Sequence, residues 1–178
     1  MAGCRMLGSM SVHTLVSEEE YLRTSYEPDC EYWDGELVER NVGDLGHSKL
    51  QKLLMLYLCR KEKLWNIHVF PELRMLLRPR QYRIPDVAVF YGAEPTEQVP
   101  TTPPLLWIEI LSPDDRPIRV NRKVRELIEF GVPYVWVIEP ATLESELHTQ
   151  QSSTIIEDGI LRIPNTPIEV LLQALEED

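Results

Sequence analysis

The order of strand-like and helix-like runs along the middle of the chain limits the folds that this sequence can adopt. A run with leucines at helical spacing, residues 47–65, precedes four strand-like segments, IHVF, ELRMLLR, IPDVAVFY and LLWIEIL. A second helical pattern over residues 118–130 ends at Gly131 and Pro133, and YVWVIEP then has the composition of a buried strand. Strands interspersed with helices in this way are typical of a sheet with helices packed on it. The sequence therefore predicts an α/β fold.

Shorter elements are predicted at both ends of this central part. Ser17 and Glu20 form a capping-box pattern that predicts a short N-terminal helix. Asp34 and Gly35, placed between two alternating segments, predict a tight hairpin. The tail, from LESELHTQ to PIEVLLQAL, predicts a small β appendage followed by a short closing helix.

Composition limits the class of protein. With 178 residues, 43% hydrophobic and 26% charged, the chain has the makeup of a soluble globular protein with one core. We expect residues 1–16 to be a flexible segment and residues 17–178 to form a single domain. No run approaches the ~20 apolar residues of a membrane span, and the first residues do not resemble a secretory signal. We therefore expect a cytoplasmic protein with no membrane partner.

The three cysteines do not indicate a cross-linked or metal-bound framework. Cys4, Cys30 and Cys59 are odd in number, far apart and form no CxxC pair. Neither a disulfide framework nor a zinc site is predicted from such spacing. We interpret them as reduced residues.

The charge distribution bears on whether nucleic acid is a partner. A net charge of −11 opposes phosphate binding at first sight. Residues 139–178 hold nine acids against one arginine, a net of −8, which leaves −3 for residues 1–138. Five cations with no acid between them lie in one ten-residue segment: Arg116, Arg119, Arg122, Lys123 and Arg125. A solvated helix face and a local phosphate-binding strip both fit this segment.

Two of the strand-like runs each contain one carboxylate, Asp86 in IPDVAVFY and Glu109 in LLWIEIL. A buried ionised carboxylate is costly unless it is paired, hydrogen-bonded or bound to a metal. Side chains alternate across a strand, so each acid lies on the mixed face of its run, opposite an aliphatic face. If the strands are neighbours in register, the two acids converge, and such oxygen ligands suit Mg²⁺ or Mn²⁺. Solvation at the strand ends, or pairing with Arg83 or Arg116, is the open alternative.

The second predicted helix offers one cation beside its packed face. At about 100° per residue, Lys123 lies roughly 80° from the centre of the apolar stripe, and Arg122 lies about 180° from it. The stripe consists of Val120, Val124, Leu127, Ile128 and Gly131. Lys123 can therefore lay its methylene stem along the sheet and bring its ammonium to the acids. Ordinary snorkelling at a helix edge is the alternative.

Five segments, in this order along the chain, resemble one group of proteins. EYWDGELVE, GHSKLQKLL, IPDVAV, IEILSPDD and RKVRELIEFGVPYVWVIEP resemble the PD-(D/E)XK nuclease superfamily, and within it the Uma-two family of restriction-endonuclease-like proteins abundant in bacteria. The resemblance runs from about Ser17 to Pro140. It implies a restriction-endonuclease-like fold, with a four-stranded mixed sheet flanked by helices. The N-terminal helix and hairpin and the C-terminal β appendage would be added to that sheet.

The resemblance also implies an activity and a metal site. Asp86 and Glu109 would bind Mg²⁺ or Mn²⁺ together with the backbone carbonyl of Ile110. The implied reaction is hydrolysis of DNA phosphodiester bonds by an activated water.

Further site residues follow from the same resemblance. The superfamily's usual lysine position is Leu111 here, and Lys123 in the following helix takes the place of a lysine that this family uses instead. Where the family tends to have an acid a few positions earlier, this chain has Arg119. His47 matches another family position and could assist catalysis at the rim of the site, although a lone histidine is more often a structural or capping residue.

Two classes of function follow from these residues. The first is a metal-dependent endonuclease that cuts DNA. The second is a catalytically impaired nuclease-fold protein that serves as a binding or oligomerisation module, with PIEVLLQAL as a contact in a homodimer. The presence of Asp86, Glu109 and Lys123 favours the first. The net negative charge of the chain, together with Arg119, favours the second. No GxSxG, P-loop or GxGxxG motif supports another hydrolase or nucleotide fold.

Overall fold

The computed structural model describes residues 15–41 and 43–175. The predicted flexible segment, residues 1–16, lies outside the described residues except for its last two positions. The first half of the chain contains α1 (Glu18–Arg23), β1 (Cys30–Trp33), β2 (Glu36–Glu39), α2 (Leu45–Trp65), β3 (Ile67–Pro71), β4 (Met75–Arg78), β5 (Gln81–Arg83) and β6 (Val87–Tyr91). The second half contains β7 (Leu106–Ile110), α3 (Pro117–Phe130), β8 (Tyr134–Ile138), β9 (Ser145–His148), β10 (Ser153–Ile155), β11 (Ile160–Arg162), β12 (Glu169–Leu171) and a 3₁₀ helix (Leu172–Ala174).

A mixed sheet in the order β10-β9-β8-β7-β6-β3 forms the centre of the fold. β7 and β8 are parallel, and the other neighbouring pairs are antiparallel. α3 connects the parallel pair, since parallel neighbours need a crossover connection. The predicted α/β fold with a mixed sheet flanked by helices is confirmed. The sheet is wider than the four strands that the resemblance implies, because the β9–β10 hairpin of the tail extends one edge.

The two long helices cover opposite faces of this sheet. Leu54 of α2 packs in one apolar cluster with Ile108 of β7. Leu127 of α3 packs in another cluster with Trp107, the preceding residue of the same strand. Side chains alternate along a strand, so Glu109 shares the α3 face with Trp107.

A second sheet, antiparallel and in the order β2-β1-β5-β4, packs against α1. Tyr21 of α1 meets Tyr32 of β1 and Tyr82 of β5 in its core. Asp34 and Gly35, between β1 and β2, have φ angles of 48° and 103°. A two-residue hairpin turn needs these left-handed conformations. The predicted hairpin is confirmed.

Local signals define the ends of the long helices. Asp44 caps α2 by accepting a hydrogen bond from the His47 backbone N–H at 2.9 Å. Pro117 begins α3, and Gly131 ends it in a left-handed conformation with φ of 105°. Both predicted long helices are confirmed. In the described part of the chain, no helix is both long and apolar enough to cross a membrane.

The C-terminal segment differs from the sequence prediction. PIEVLLQAL predicts a closing helix, but residues 169–171 form β12, paired with β11, and only a 3₁₀ turn follows. The helix prediction was wrong. Ile168, Val170 and Leu172 are buried, and this burial of every second residue is the pattern of a strand. The sequence prediction also missed β5, a three-residue strand beside β1.

Candidate active site

Asp86 lies just before β6, where the chain passes from the second sheet to the central sheet. The Ile110 backbone N–H donates a hydrogen bond to its Oδ2 at 2.7 Å. The Arg40 guanidinium donates to Oδ1 at 2.7 Å, and His47 Nε2 lies 3.4 Å from Oδ2. Burial opposes ionisation, but the contacts from His47, Arg40 and Ile110 lower the pKa of Asp86 below its ordinary value. Asp86 is therefore an ionised, buried carboxylate.

The register of the sheet brings the two predicted acids together. β6 and β7 pair antiparallel, with Val87 opposite Ile108. Asp86 and Glu109 are the next residues in that register and occupy the same face of the sheet. The N–H and C=O of one strand residue point to the same edge, so strand geometry places the Ile110 carbonyl on the β6 edge of β7, the edge from which its N–H reaches Asp86.

Glu109 forms an ion pair with Lys123 of α3. The Lys123 ammonium lies 2.7 Å from Glu109 Oε1, and the indole N–H of Trp107 donates to the same oxygen. Burial raises the pKa of Glu109 to about 7, the Lys123 charge opposes this rise, and the negative charge of Asp86 adds to it. Glu109 therefore ionises less readily than an exposed glutamate, chiefly because it is removed from water.

A third carboxylate, the buried Glu31 of β1, completes the environment of Lys123. The ammonium lies 2.9 Å from Glu31 Oε1 and donates to the Ile84 carbonyl at 3.3 Å. Arg83 contacts the other carboxylate oxygen of Glu31, and it also pairs with Glu126 of α3 at 2.6 Å. Burial alone would raise the pKa of Glu31, but Lys123 and Arg83 lower it to about 2.

Sequence reasoning missed Glu31, Arg83 as its partner, and Arg40. Glu31 could have been found by the criterion that identified Asp86 and Glu109, because it is also an acid within a mostly apolar strand. Arg40 had no comparable signal, since it follows a short, largely exposed hairpin strand. Its bond to Asp86 joins residues 46 positions apart.

The structure brings all of the predicted site residues to one place. Asp86, Glu109, Ile110, Lys123 and His47 line a single cavity of about 360 Å³. The cavity rim also carries Arg119 and Arg122 of the basic segment. The alternative in which an arginine neutralises Asp86 is realised as well, but through Arg40 and not through Arg83 or Arg116.

The donor set can be compared with the needs of a divalent cation. Among the side chains that the structure describes, no three His, Cys, Asp or Glu groups are grouped closely enough to hold a metal ion. The available donors are the carboxylates of Asp86 and Glu109 and the Ile110 carbonyl, which are the hard oxygens that Mg²⁺ and Mn²⁺ prefer. Burial raises the pKa of Glu109, and the charge of Asp86 adds to the rise, so a cation bound between the two acids would favour the ionised form of Glu109. The residues therefore fit such an ion, provided that Asp86 can release its present partners.

Comparisons with known proteins agree with this fold. A model of the Uma2 family, described as "Putative restriction endonuclease", matches residues 18–176. The chain is similar to the crystal structure of a "putative nuclease belonging to DUF820" from Anabaena variabilis, with a TM-score of 0.77 and 21% sequence identity. That similarity covers 91% of this chain and 98% of the other, and at this identity it establishes the fold alone. No curated protein sequence matches the chain.

Proposed function

We propose that this chain, which belongs to the Uma2 family of restriction-endonuclease-like proteins, is a metal-dependent nuclease that hydrolyses phosphodiester bonds in DNA. One observation carries the proposal. Two carboxylates, the buried Asp86 and the partly buried Glu109, share one face of adjacent strands, with the Lys123 ammonium 2.7 Å from the second. We take residues 17–178 to be one nuclease-like domain. A cytoplasmic location, a bacterial source and a homodimer remain predictions from the sequence.

Asp86, Glu109 and the Ile110 carbonyl are the groups that would hold Mg²⁺ or Mn²⁺. When bound, such an ion polarises a phosphoryl oxygen and lowers the pKa of a coordinated water. The chain itself supplies the orientation of these ligands. The Ile110 N–H and His47 both contact Asp86 Oδ2, and the indole N–H of Trp107 holds Glu109.

Lys123 supplies the cation for charge that develops on the phosphate. Its ammonium is positioned by Glu109 and Glu31, at 2.7 and 2.9 Å, and its side chain lines the cavity. Burial alone would lower the pKa of Lys123, but the two carboxylates raise it, so the side chain remains charged. A preorganised cation in a water-poor site stabilises a transition state more than it would in bulk water.

His47 has a supporting role in this proposal. Its Nε2 lies 3.4 Å from Asp86 Oδ2, and the hydrogen bond with Asp86 raises the pKa of the ring although burial opposes the shift. Its backbone N–H is bonded to Asp44 at the start of α2. These two contacts place the ring against Asp86, where it fixes the orientation of the carboxylate.

DNA is the substrate class that the cavity rim favours. Arg119 and Arg122 lie at the rim, and arginines are suited to phosphate oxygens because the guanidinium offers paired donors. Most of the net negative charge lies in residues 139–178, away in sequence from this helix. The acidic total is therefore compatible with a local contact to phosphates.

A binding module without turnover is the second candidate. The observation that favours it is the present state of Asp86, whose Oδ1 is bonded to Arg40 and whose Oδ2 is bonded to Ile110. Arg119 also stands where the family tends to have an acid. In this alternative the site holds nucleic acid or protein without cleaving it.

A plasmid-nicking assay distinguishes the two candidates. Wild-type protein with Mg²⁺ or Mn²⁺ should convert supercoiled DNA to nicked or linear forms, and chelation by EDTA should prevent the conversion. Asp86→Asn should abolish nicking, whereas the matched substitution Asp34→Asn, in the exposed hairpin turn, should leave it unchanged. Circular dichroism would verify that both variants are folded. Failure of the folded wild type to cut supercoiled or single-stranded DNA with either metal would favour the binding module.

A further inference from the structure

Arg40 lies among three carboxylates and is hydrogen-bonded to one of them. Its guanidinium donates to Asp86 Oδ1 at 2.7 Å, and it lies 3.8 Å from Glu72 and 4.0 Å from Asp29. Its backbone N–H donates to the Asp29 carbonyl at 3.0 Å. The backbone of Arg40 is thus anchored beside Asp29, and its long side chain has more than one acid within reach.

Asp86 lies between two cavities, and Arg40 borders both. The site cavity is on one side, and an adjoining cavity of about 570 Å³ is on the other. Glu27, Asp29 and Glu72 line the adjoining cavity, and among the described residues that line it Arg40 is the one lysine or arginine. That cavity therefore offers both space and negative charge to a guanidinium that leaves Asp86.

The present pairing of Asp86 conflicts with ligation of a divalent cation. Oδ2 is occupied by the Ile110 N–H and His47, so Oδ1 is the oxygen that a cation would approach. Arg40 occupies Oδ1. Two cations on one carboxylate oxygen repel each other, so the bond to Arg40 has to break before a metal can bind there.

We propose that Arg40 is an exchangeable counter-ion of Asp86, which neutralises this acid in the metal-free protein and moves to Asp29 and Glu72 when a divalent cation binds. This inference rests on the proposed metal-dependent function and adds to it the control of metal affinity. The bond between Arg40 and Asp86 opposes metal binding, and the two acids of the adjoining cavity favour it. Three residues that do not ligate the ion therefore set its affinity.

Direct measurement of Mn²⁺ binding, by calorimetry on the full chain without DNA, tests the exchange. Arg40→Gln should bind Mn²⁺ on the order of tenfold more tightly, because the competing charge is gone. Arg125→Gln, which removes an exposed charge of α3 outside both cavities, controls for net charge and should leave the affinity within about twofold. An unchanged affinity in Arg40→Gln would overturn the inference.

A double-mutant cycle separates exchange from simple electrostatic attraction. The double substitution Asp29→Asn with Glu72→Gln should weaken Mn²⁺ binding by roughly threefold or more in the wild type. The same substitution should have no effect in Arg40→Gln, because no guanidinium then needs a second position. Equal weakening in both backgrounds would mean that the acids act on the metal through space, and would overturn the exchange.

The outcomes also separate this inference from the function on which it rests. Absence of Mn²⁺ binding in every variant would overturn the metal-dependent function and the exchange together. Binding by the wild type that neither Arg40→Gln nor the double substitution changes would overturn the exchange alone. Asp29 and Glu72 have half-exposed side chains, at 44% and 54%, so the double substitution should fold, and an unchanged Mn²⁺ affinity in that variant would overturn the exchange even if Arg40→Gln folds poorly.

Discussion

Asp86 and Glu31 are both buried and ionised, but their counter-ions come from different kinds of structure. Asp86 is held by Arg40, which follows a short hairpin strand, and by His47 in the first turn of α2. Arg40 and His47 border the adjoining cavity as well as the site cavity, whereas Arg83 and Lys123 border the site cavity alone. Glu31 is held instead by Arg83 of β5 and by Lys123 of α3. Lys123 lies between Glu31 and Glu109.

The partners of Glu31 have little freedom to move. Arg83 is the next residue in the register of β1 and β5, directly across from Glu31. Glu126 of α3 binds the other side of Arg83 at 2.6 Å, and the Ile84 backbone N–H donates to Glu31 at 3.1 Å. The partners of Glu31 thus hold a fixed geometry, whereas the Arg40 partner of Asp86 is the one that we propose to exchange when a metal binds.

The largest expected effect is a loss of stability on substitution of Glu31. Glu31→Gln removes the buried negative charge that Arg83 and Lys123 share. It should reduce the free energy of unfolding by about 3–5 kcal/mol. Asp86→Asn should cost less, because Arg40 can pair with the acids of the adjoining cavity. Urea unfolding measures both, with Glu129→Gln on the exposed side of α3 as a control expected within about 0.5 kcal/mol. A larger loss in Asp86→Asn than in Glu31→Gln would contradict the comparison.

The pH dependence of stability sharpens the same contrast. The folded protein lowers the pKa of Glu31 to about 2 from an ordinary value of 4.5. A lowered acid pKa contributes stability above pH 4.5 and loses it as pH falls toward 2, on the order of 3 kcal/mol for this shift. Unfolding curves between pH 2.5 and about 6 should therefore converge for wild type and Glu31→Gln as the pH falls. Parallel curves would show that the charge of Glu31 does not stabilise the fold.

A smaller free-energy change is expected in catalysis, from Lys123, which contacts both Glu31 and Glu109. Lys123→Met removes the ammonium but keeps the apolar stem, and it should lower the rate of DNA cleavage by about 10²-fold or more. Arg125→Met, an exposed position of the same helix, should leave the cleavage rate unchanged. Single-turnover cleavage at saturating DNA measures the chemical step. Equal rates for the two variants would remove Lys123 from the mechanism.

Part of the site could be predicted from sequence because its signals are local. Alternation of apolar and acidic residues in two runs placed Asp86 and Glu109 on mixed faces, and helical spacing placed Lys123 beside the packed stripe of α3. The structure brings these three to one cavity. Glu31 carries the same kind of signal, so its omission reflects incomplete use of the criterion.

The wrong prediction of a closing helix in the C-terminal segment also has a physical explanation. PIEVLLQAL contains apolar residues that fit either a helix or a strand period, and its length does not decide between them. Pairing with β11 decided for a strand, because it buries Val170 and leaves Glu169 and Leu171 at the surface. A segment of this kind takes its structure from its neighbour.

The sequence by itself determined the types of the central elements, the ends of the long helices and the faces on which Asp86 and Glu109 lie. These features depend on hydrogen bonds and side-chain periodicity within a few residues, such as the cap of Asp44 and the left-handed Gly131. Tertiary structure alone decided that Arg40 pairs with Asp86 and that Arg83 pairs with Glu31. Arg40 and Asp86 are 46 residues apart, and Arg83 and Glu31 are 52 apart. A sequence shows that a buried carboxylate needs a partner, but the partner depends on how the second sheet packs beside the central one.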